Sequence, residues 1–134
     1  MIRAVIDTNV LISALFWAGA PRRVVDLAAA GRFQALTSPE MMAELEEVLA
    51  EDFALPPDRL ELVIREVLSY AELVTPTEEV DVPVRDLADL KVIACALAGG
   101  ADYIITGDGD LLELNEVQGV HITTVKRFLE AHAW

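Results

Sequence analysis

Short apolar runs alternate with amphipathic segments along most of the chain. The runs have the length and residue types of buried strands, and they fall at residues 2–6, 33–37, 73–75, 102–106 and 120–123. The segments between them carry apolar residues at helical spacing, and they cover residues 10–17, 22–30, 39–49, 57–71, 86–98 and 125–129. Strands that alternate with helices in this way indicate an α/β domain with a central parallel sheet.

Residues that suit helix termini mark the ends of several predicted helices. Ser38 is a good N-cap and Pro39 follows it at the first helical position, which predicts a helix start. Gly31 and the pair Gly99–Gly100 follow apolar helical patterns and predict helix ends. A chain of 134 residues has the size of one domain, so we expect a single domain over residues 1–134.

The composition excludes several classes of protein. Apolar residues make up 54% of the chain, which is enough to bury a core without disulfides, and the single Cys95 lies in an apolar run as a small core residue. No cluster of Cys and His predicts a structural zinc site, and we assign no role to His121 or His132. No apolar run reaches the ~18 residues that span a bilayer, so we expect a cytoplasmic protein without a membrane segment.

The charge balance argues against broad, non-specific affinity for RNA. The formal net charge is −13, which repels phosphates. The first 33 residues are an exception, because they hold four arginines against two aspartates. Arg22 and Arg23 form the densest positive pair near Asp7, and they could hold RNA phosphate. A helix-start pair in plain solvent explains them equally well.

Acidic side chains follow two of the predicted strands. Asp7 comes directly after the first strand and Asp108 after the strand at residues 102–106, where ligands bind in α/β sheets. Asp86 and Asp89 share one face at a predicted helix start, and Glu44 lies at the edge of a buried helical stripe. Each acid alone has a structural explanation, as a helix cap, a turn residue or a solvated side chain.

Together, acids from four distant segments would meet at one edge of the sheet. Carboxylates brought together without a cation repel one another and raise their own pKa values, and a divalent metal removes that repulsion. Mg²⁺ or Mn²⁺ prefers oxygen ligands and binds through one or two carboxylates together with substrate phosphate. The chemistry that fits best is phosphodiester hydrolysis by a metal-activated water.

Four sequence blocks resemble the PIN domain (PilT N-terminus) family, and most of all its single-domain toxins from bacterial and archaeal toxin–antitoxin pairs. They cover residues 5–13, 38–45, 85–91 and 101–112, and the similarity runs from Ile2 to about Leu129. The family implies a three-layer α/β/α sandwich with a central parallel sheet in the order 3-2-1-4-5. It also implies a metal-dependent endoribonuclease, an antitoxin partner, an RNA substrate that is single-stranded or structured, and a homodimer.

Carried over residue by residue, the resemblance makes Asp7, Glu44, Asp89 and Asp108 the catalytic quartet. Asp7, Asp89 and Asp108 would hold Mg²⁺ or Mn²⁺, while Glu44 would bind a second ion or orient the attacking water. The residues that would support these ligands from outside are Thr8, Asn9, Asp86 and Asp110. The third block lacks the usual polar residues, notably at Leu90, so Asp86 remains an alternative to Asp89 as the ligand.

Two other classes of protein remain as alternatives. The first is a catalytically weak PIN-like module that binds RNA or protein, which Leu90 and the high negative charge favour. The second is a phosphotransfer domain, which also places an Asp after its first strand. A phosphatase of that kind needs a second acid where Asn9 stands, and a receiver needs an Asp where Ser38 and Pro39 follow a strand.

Overall fold

The computed structural model describes residues 1–134 and contains six strands and seven helices. The strands are β1 Arg3–Ile6, β2 Gln34–Thr37, β3 Ala71–Leu73, β4 Tyr103–Ile105, β5 Glu116–Val117 and β6 Val120–Thr123. The helices are α1 Thr8–Phe16, α2 Ala20–Ala29, α3 Pro39–Glu51, α4 Pro57–Tyr70, α5 Asp89–Ala98, α6 Gly109–Leu114 and α7 Val125–Glu130. The predicted alternation of strands and helices is confirmed.

The strands form one sheet in the order β3-β2-β1-β4-β6-β5. All neighbours are parallel except β5 and β6, which form a short antiparallel hairpin. The predicted order is confirmed, with β6 as the fifth predicted strand. The pattern did not predict β5, because two residues are too few for a periodicity. The turn between β5 and β6 consists of Gln118 and Gly119. Both have positive φ, a conformation that favours glycine.

Two hydrophobic cores cover the two faces of the sheet, since successive strand residues point to opposite faces. Ala4 and Ile6 of β1 contribute to the larger core, which also contains buried side chains from α1, α2, α3, α4 and α7. Val5, between them, contributes to the second core, with buried side chains from α5 and α6. The chain is therefore a three-layer α/β/α sandwich, as predicted.

One helix lies unusually close to the sheet at its carboxyl end. A Cβ on Gly99, which follows α5, would lie 2.9 Å from Leu36 Cδ1, 3.0 Å from Val74 Cγ2 and 3.1 Å from the carbonyl oxygen of Cys95. The first contact is closer than real Cβ atoms show, and the other two are tight. Close packing therefore favours glycine at position 99, whereas the sequence predicted only a helix end there.

Several predicted boundaries are wrong in detail. The fifth predicted helix begins at Asp89 and not at Asp86, because the Asp86 carboxylate accepts the Ala88 N–H at 2.9 Å and closes a turn. The short third strand is β3 and not residues 73–75. Leu62 and Leu68 of α4 are apolar but 58% and 43% exposed, because α4 covers the core with a narrow stripe. No helix combines the length and the apolar character that crossing a bilayer requires.

Candidate active site

The carboxylate of Asp7 is held rigidly between the two central strands. Asp7 follows β1 and its backbone N–H donates to the carbonyl oxygen of Ile105 in β4 at 3.0 Å. The side chain is 7% exposed. Its Oδ1 accepts the backbone N–H of Thr8 at 2.8 Å, and its Oδ2 accepts the hydroxyl of Thr106 at 2.7 Å. Asp7 is thus both the predicted helix cap and a fixed acid at the carboxyl edge of the sheet.

Thr106 connects this acid to the next one. Its hydroxyl oxygen accepts the backbone N–H of Asp108 at 3.0 Å, while its proton is donated to Asp7. Asp108 in turn caps α6, because its Oδ1 accepts the backbone N–H of Asp110 at 3.0 Å. Sequence reasoning gave no role to Thr106, although a threonine between an apolar strand and Asp108 is a recognisable signal.

Three acids come close enough together to share one ion. Asp89, Asp108 and Asp110 each offer a carboxylate oxygen, and these oxygens lie within 4.8 Å of one another. Asp89 is 6% exposed, and its Oδ2 is buried without a hydrogen-bond partner. This set contains the predicted ligands Asp89 and Asp108. It also contains Asp110, which was predicted to stand outside the ligand set.

Burial and mutual repulsion shift the proton affinities of these acids. Burial and the carboxyl of Asp108 raise the pKa of Asp89 from 3.8 to about 7, with smaller contributions from the charges of Asp86 and Asp7. Burial also raises the pKa of Asp7, and the charges of Glu44 and Asp108 add to the shift. The hydrogen bonds from Thr106 and Thr8 oppose this rise. A cation bound among these carboxylates would offset their mutual repulsion.

The donor set fits a hard divalent cation. All of the candidate ligand atoms are carboxylate oxygens, which Mg²⁺ and Mn²⁺ prefer, and no sulfur or imidazole ligand is among them. The buried and unpartnered Oδ2 of Asp89 has the acceptor capacity that such an ion uses.

Glu44 is paired with a lysine instead of joining the three acids. Its Oε2 lies 2.9 Å from Nζ of Lys91, and the two side chains are 32% and 27% exposed. Glu44 still lies near the site, because its charge contributes to the raised pKa of Asp7. The sequence named Glu44 but gave Lys91 no role of its own.

The remaining predicted site residues have mixed surroundings. Asp86 is exposed and bonds within its own turn, although its charge acts on Asp89. Thr8 is buried with an unpartnered hydroxyl, whereas Asn9 is exposed.

The predicted phosphate-binding pair lies on α2. Arg22 forms an ion pair with Asp26 at 3.3 Å, and Arg23 is exposed. A different guanidinium lies beside the acidic cluster, because Arg85 approaches Asp110 at 3.7 Å and Glu113 at 3.3 Å. A role of Arg22 and Arg23 in RNA binding stays a prediction.

A parallel α/β sheet with acids gathered at the carboxyl ends of its two central strands defines a carboxylate-centred domain suited to a divalent cation. The chain belongs to the PIN domain family, whose sequence profile matches residues 3–110. It is similar to the uncharacterized protein MJ1680 of Methanocaldococcus jannaschii, at 31% identity over 96% of this chain and 90% of that protein.

Solved structures share the fold at low sequence identity. A chain of VapBC2 from Rickettsia felis, crystallised with a DNA fragment from the promoter, has a TM-score of 0.66 at 13% identity and covers 92% of this chain and 98% of its own. A chain of DNA-bound VapBC from Salmonella typhimurium has a TM-score of 0.64 at 17% identity, with coverages of 93% and 99%. PAE2754 from Pyrobaculum aerophilum has a TM-score of 0.62 at 15% identity, with coverages of 97% and 88%.

Proposed function

We propose that this protein is a metal-dependent endoribonuclease that hydrolyses RNA phosphodiester bonds as the toxin of a toxin–antitoxin pair. The observation that carries the proposal is the cluster of Asp89, Asp108 and Asp110, whose oxygens lie within 4.8 Å of one another in a PIN domain. Carboxylates at this density have little structural use without a cation, because they repel one another.

Asp7, Asp89 and Asp108 would hold the cation, and the oxygen of Asp110 lies close enough to join Asp89 and Asp108. A bound Mg²⁺ or Mn²⁺ supplies a Lewis acid for the phosphate and a bound water of lowered pKa. Neighbouring residues hold the ligands in position. Thr106 and the backbone of Thr8 fix the orientation of Asp7. Asp89, whose pKa is raised to about 7 by burial and the carboxyl of Asp108, would bind the cation in its ionised form.

The chain would work with protein partners in the cytoplasm. The neighbours from Rickettsia felis and Salmonella typhimurium are VapBC structures, which supports an antitoxin as the partner. A homodimer is supported by exposed aromatic side chains near the ends of α1 and α3. Phe16 and Phe53 stack with ring centroids 4.6 Å apart, and Trp17 beside them is 60% exposed.

The alternative is a PIN-like module that binds RNA or protein and cleaves poorly. It is favoured by Leu90, an apolar residue directly after Asp89, and by the net charge of −13. The two functions differ in one measurable respect, since only the nuclease turns over its substrate.

Cleavage of single-stranded and hairpin RNA by the purified protein tests the proposal. We expect cleavage with Mg²⁺ or Mn²⁺, none with EDTA, and a loss of about a hundredfold or more for Asp7→Asn, because stabilisation of the transition-state charge is lost. Asp58→Asn removes the same charge from an exposed position at the start of α4, and it serves as the matched control. Cleavage that survives both EDTA and Asp7→Asn would come from a contaminant, and the binding module would then replace this proposal.

A further inference from the structure

One lysine is paired with an acid whose charge acts on Asp7. Lys91 of α5 reaches across to Glu44 of α3, and Nζ and Oε2 are 2.9 Å apart. Both side chains are more than two-thirds buried, at 27% and 32% exposure. The Arg65–Glu61 pair of α4 has a similar distance of 2.8 Å, but its members are 73% and 68% exposed. Lys91 and Glu44 thus form the better shielded of these two pairs.

We propose that Lys91 is a positioning residue whose ammonium takes the place of a second divalent ion beside Glu44, so that the site accepts one divalent cation. The inference rests on the proposed function, because it concerns the same metal centre. It also decides between the two roles that the sequence left open for Glu44. Glu44 does not bind a second ion while Lys91 holds it.

Both charge and space disfavour a second divalent ion on Glu44. A second divalent ion would lie about 3.5–4 Å from the first, and the family resemblance gives Glu44 as the acid that would bind it. That carboxylate already contacts an ammonium at 2.9 Å. A divalent ion on the same carboxylate would lie close to a like charge in partly buried surroundings, where water screens the repulsion poorly.

The ammonium of Lys91 also offsets the effect of the Glu44 charge on the pKa of Asp7. The charge of Glu44 is among the influences that raise the pKa of Asp7, so the two carboxylates interact. An ammonium on Glu44 offsets that repulsion, and it keeps the Glu44 side chain in a fixed direction. With the ammonium removed, Glu44 becomes a free carboxylate next to an occupied metal site, which is the environment that attracts a second cation.

Titration of the metal-free protein with Mn²⁺ in the absence of RNA tests the inference, with free Mn²⁺ counted by electron paramagnetic resonance. We expect one bound Mn²⁺ for the wild type and two for Lys91→Met, which keeps the length of the side chain and removes its charge. Arg65→Met removes one charge and one ion pair from the exposed pair of α4, and it should still bind one ion. The double variant Lys91→Met/Glu44→Gln should return to one ion, because the second ion needs the carboxylate.

The outcomes separate the inference from the proposed function. Two ions on the wild type, or one ion on Lys91→Met, would overturn the role of Lys91 and leave the nuclease intact. No bound Mn²⁺ on any variant would overturn both. If Lys91→Met does not fold, the Mn²⁺ affinity of Glu44→Gln tests the inference on its own. Its single Mn²⁺ should bind with an affinity within about threefold of the wild type, whereas a loss of about tenfold or more would make Glu44 a direct ligand of that ion and overturn the inference.

Discussion

The hydroxyl of Thr106 donates a 2.7 Å hydrogen bond to Asp7, although 99 residues separate the two in the sequence. The same hydroxyl oxygen accepts the N–H of Asp108, so one small side chain orients two acids. Thr106 is fully buried, and its bond to Asp7 is shielded from water, whereas its bond from Asp108 is only partly buried. Its removal should affect the fold and the metal site together.

Thr106→Val keeps the shape of the side chain and removes both hydrogen bonds. We expect a loss of about 1–3 kcal/mol in the free energy of unfolding, because the buried carboxylate of Asp7 loses a hydrogen-bond donor and the N–H of Asp108 loses its acceptor. We also expect a drop of about tenfold in Mn²⁺ affinity, since the pKa of Asp7 rises further when its donor is lost. Urea unfolding and Mn²⁺ titration measure the two effects. Thr106→Ser retains the hydroxyl and should keep most of the stability and most of the Mn²⁺ affinity. An unchanged Mn²⁺ affinity in Thr106→Val would mean that Thr106 does not orient the metal ligands.

The raised pKa of Asp89 predicts how the stability of the metal-free protein depends on pH. The folded state holds a proton on Asp89 up to about pH 7, whereas the ordinary pKa is 3.8. Between these values the folded state binds more protons than the unfolded state, so this group makes stability fall as the pH rises from about 4 to 7. Asp89→Asn should therefore stabilise the protein in EDTA more at pH 8 than at pH 5.

Urea unfolding in EDTA at the two pH values measures this difference. Asp86→Asn is the matched control, because Asp86 lies three residues away in an exposed turn and should change the pH dependence much less. An equal gain for Asp89→Asn at both pH values would mean that Asp89 is ionised throughout this range.

The same two variants decide which acid of the third sequence block is the ligand. Asp89→Asn should reduce RNA cleavage more strongly than Asp86→Asn, because Asp89 is buried within reach of Asp108 while Asp86 bonds within its own turn. Initial cleavage rates at saturating Mg²⁺ give the comparison. The reverse order would assign the metal to Asp86.

Gly99 provides a test of the packing between α5 and the sheet. Gly99→Ala should destabilise the protein by about 1–3 kcal/mol, because the new methyl group meets Leu36, Val74 and a carbonyl oxygen. Gly107→Ala has open space around its Cβ and no positive φ, so its stability should change by less than about 0.5 kcal/mol. Urea unfolding compares them, and equal effects would mean that the helix moves to accommodate the methyl group.

The homodimer remains a prediction, and Trp17 is the residue to change. Light scattering at about 50 μM, a concentration at which mass action favours association, should report a dimer for the wild type. Trp17→Lys should shift it to a monomer, because a charge replaces an exposed ring of the Phe16–Trp17–Phe53 cluster. Leu87→Lys changes an apolar residue that is 77% exposed elsewhere, and it should leave the dimer unaffected. A wild-type monomer would exclude this assembly.

The fold was predictable because local signals agree with the global structure. Ser38 and Pro39 begin α3 as predicted, and Asp7 caps α1 with its own carboxylate. The start of α5 was not predictable, since the acid-rich turn at Asp86 resembles a helix start in sequence and differs only in its hydrogen bonds.

The candidate site was predictable only in part. Asp7 and Asp108 were candidates because each follows a predicted strand, and the resemblance to the PIN family added Asp89 and Glu44. The proximity of Asp110, the bridging hydroxyl of Thr106 and the pairing of Lys91 with Glu44 depend on side-chain directions in space. Spacing along the chain carries no information about such directions.

The central position of β1 has a consequence for synthesis. β1 pairs with β4, and Asp7 meets the hydroxyl of Thr106 and the neighbouring Asp108 only after about four-fifths of the chain has been translated. A shorter product carries Asp7, and in part Asp89, without the hydroxyl of Thr106 and without Asp108. A polypeptide that ends before Asp108 therefore cannot assemble the acidic centre.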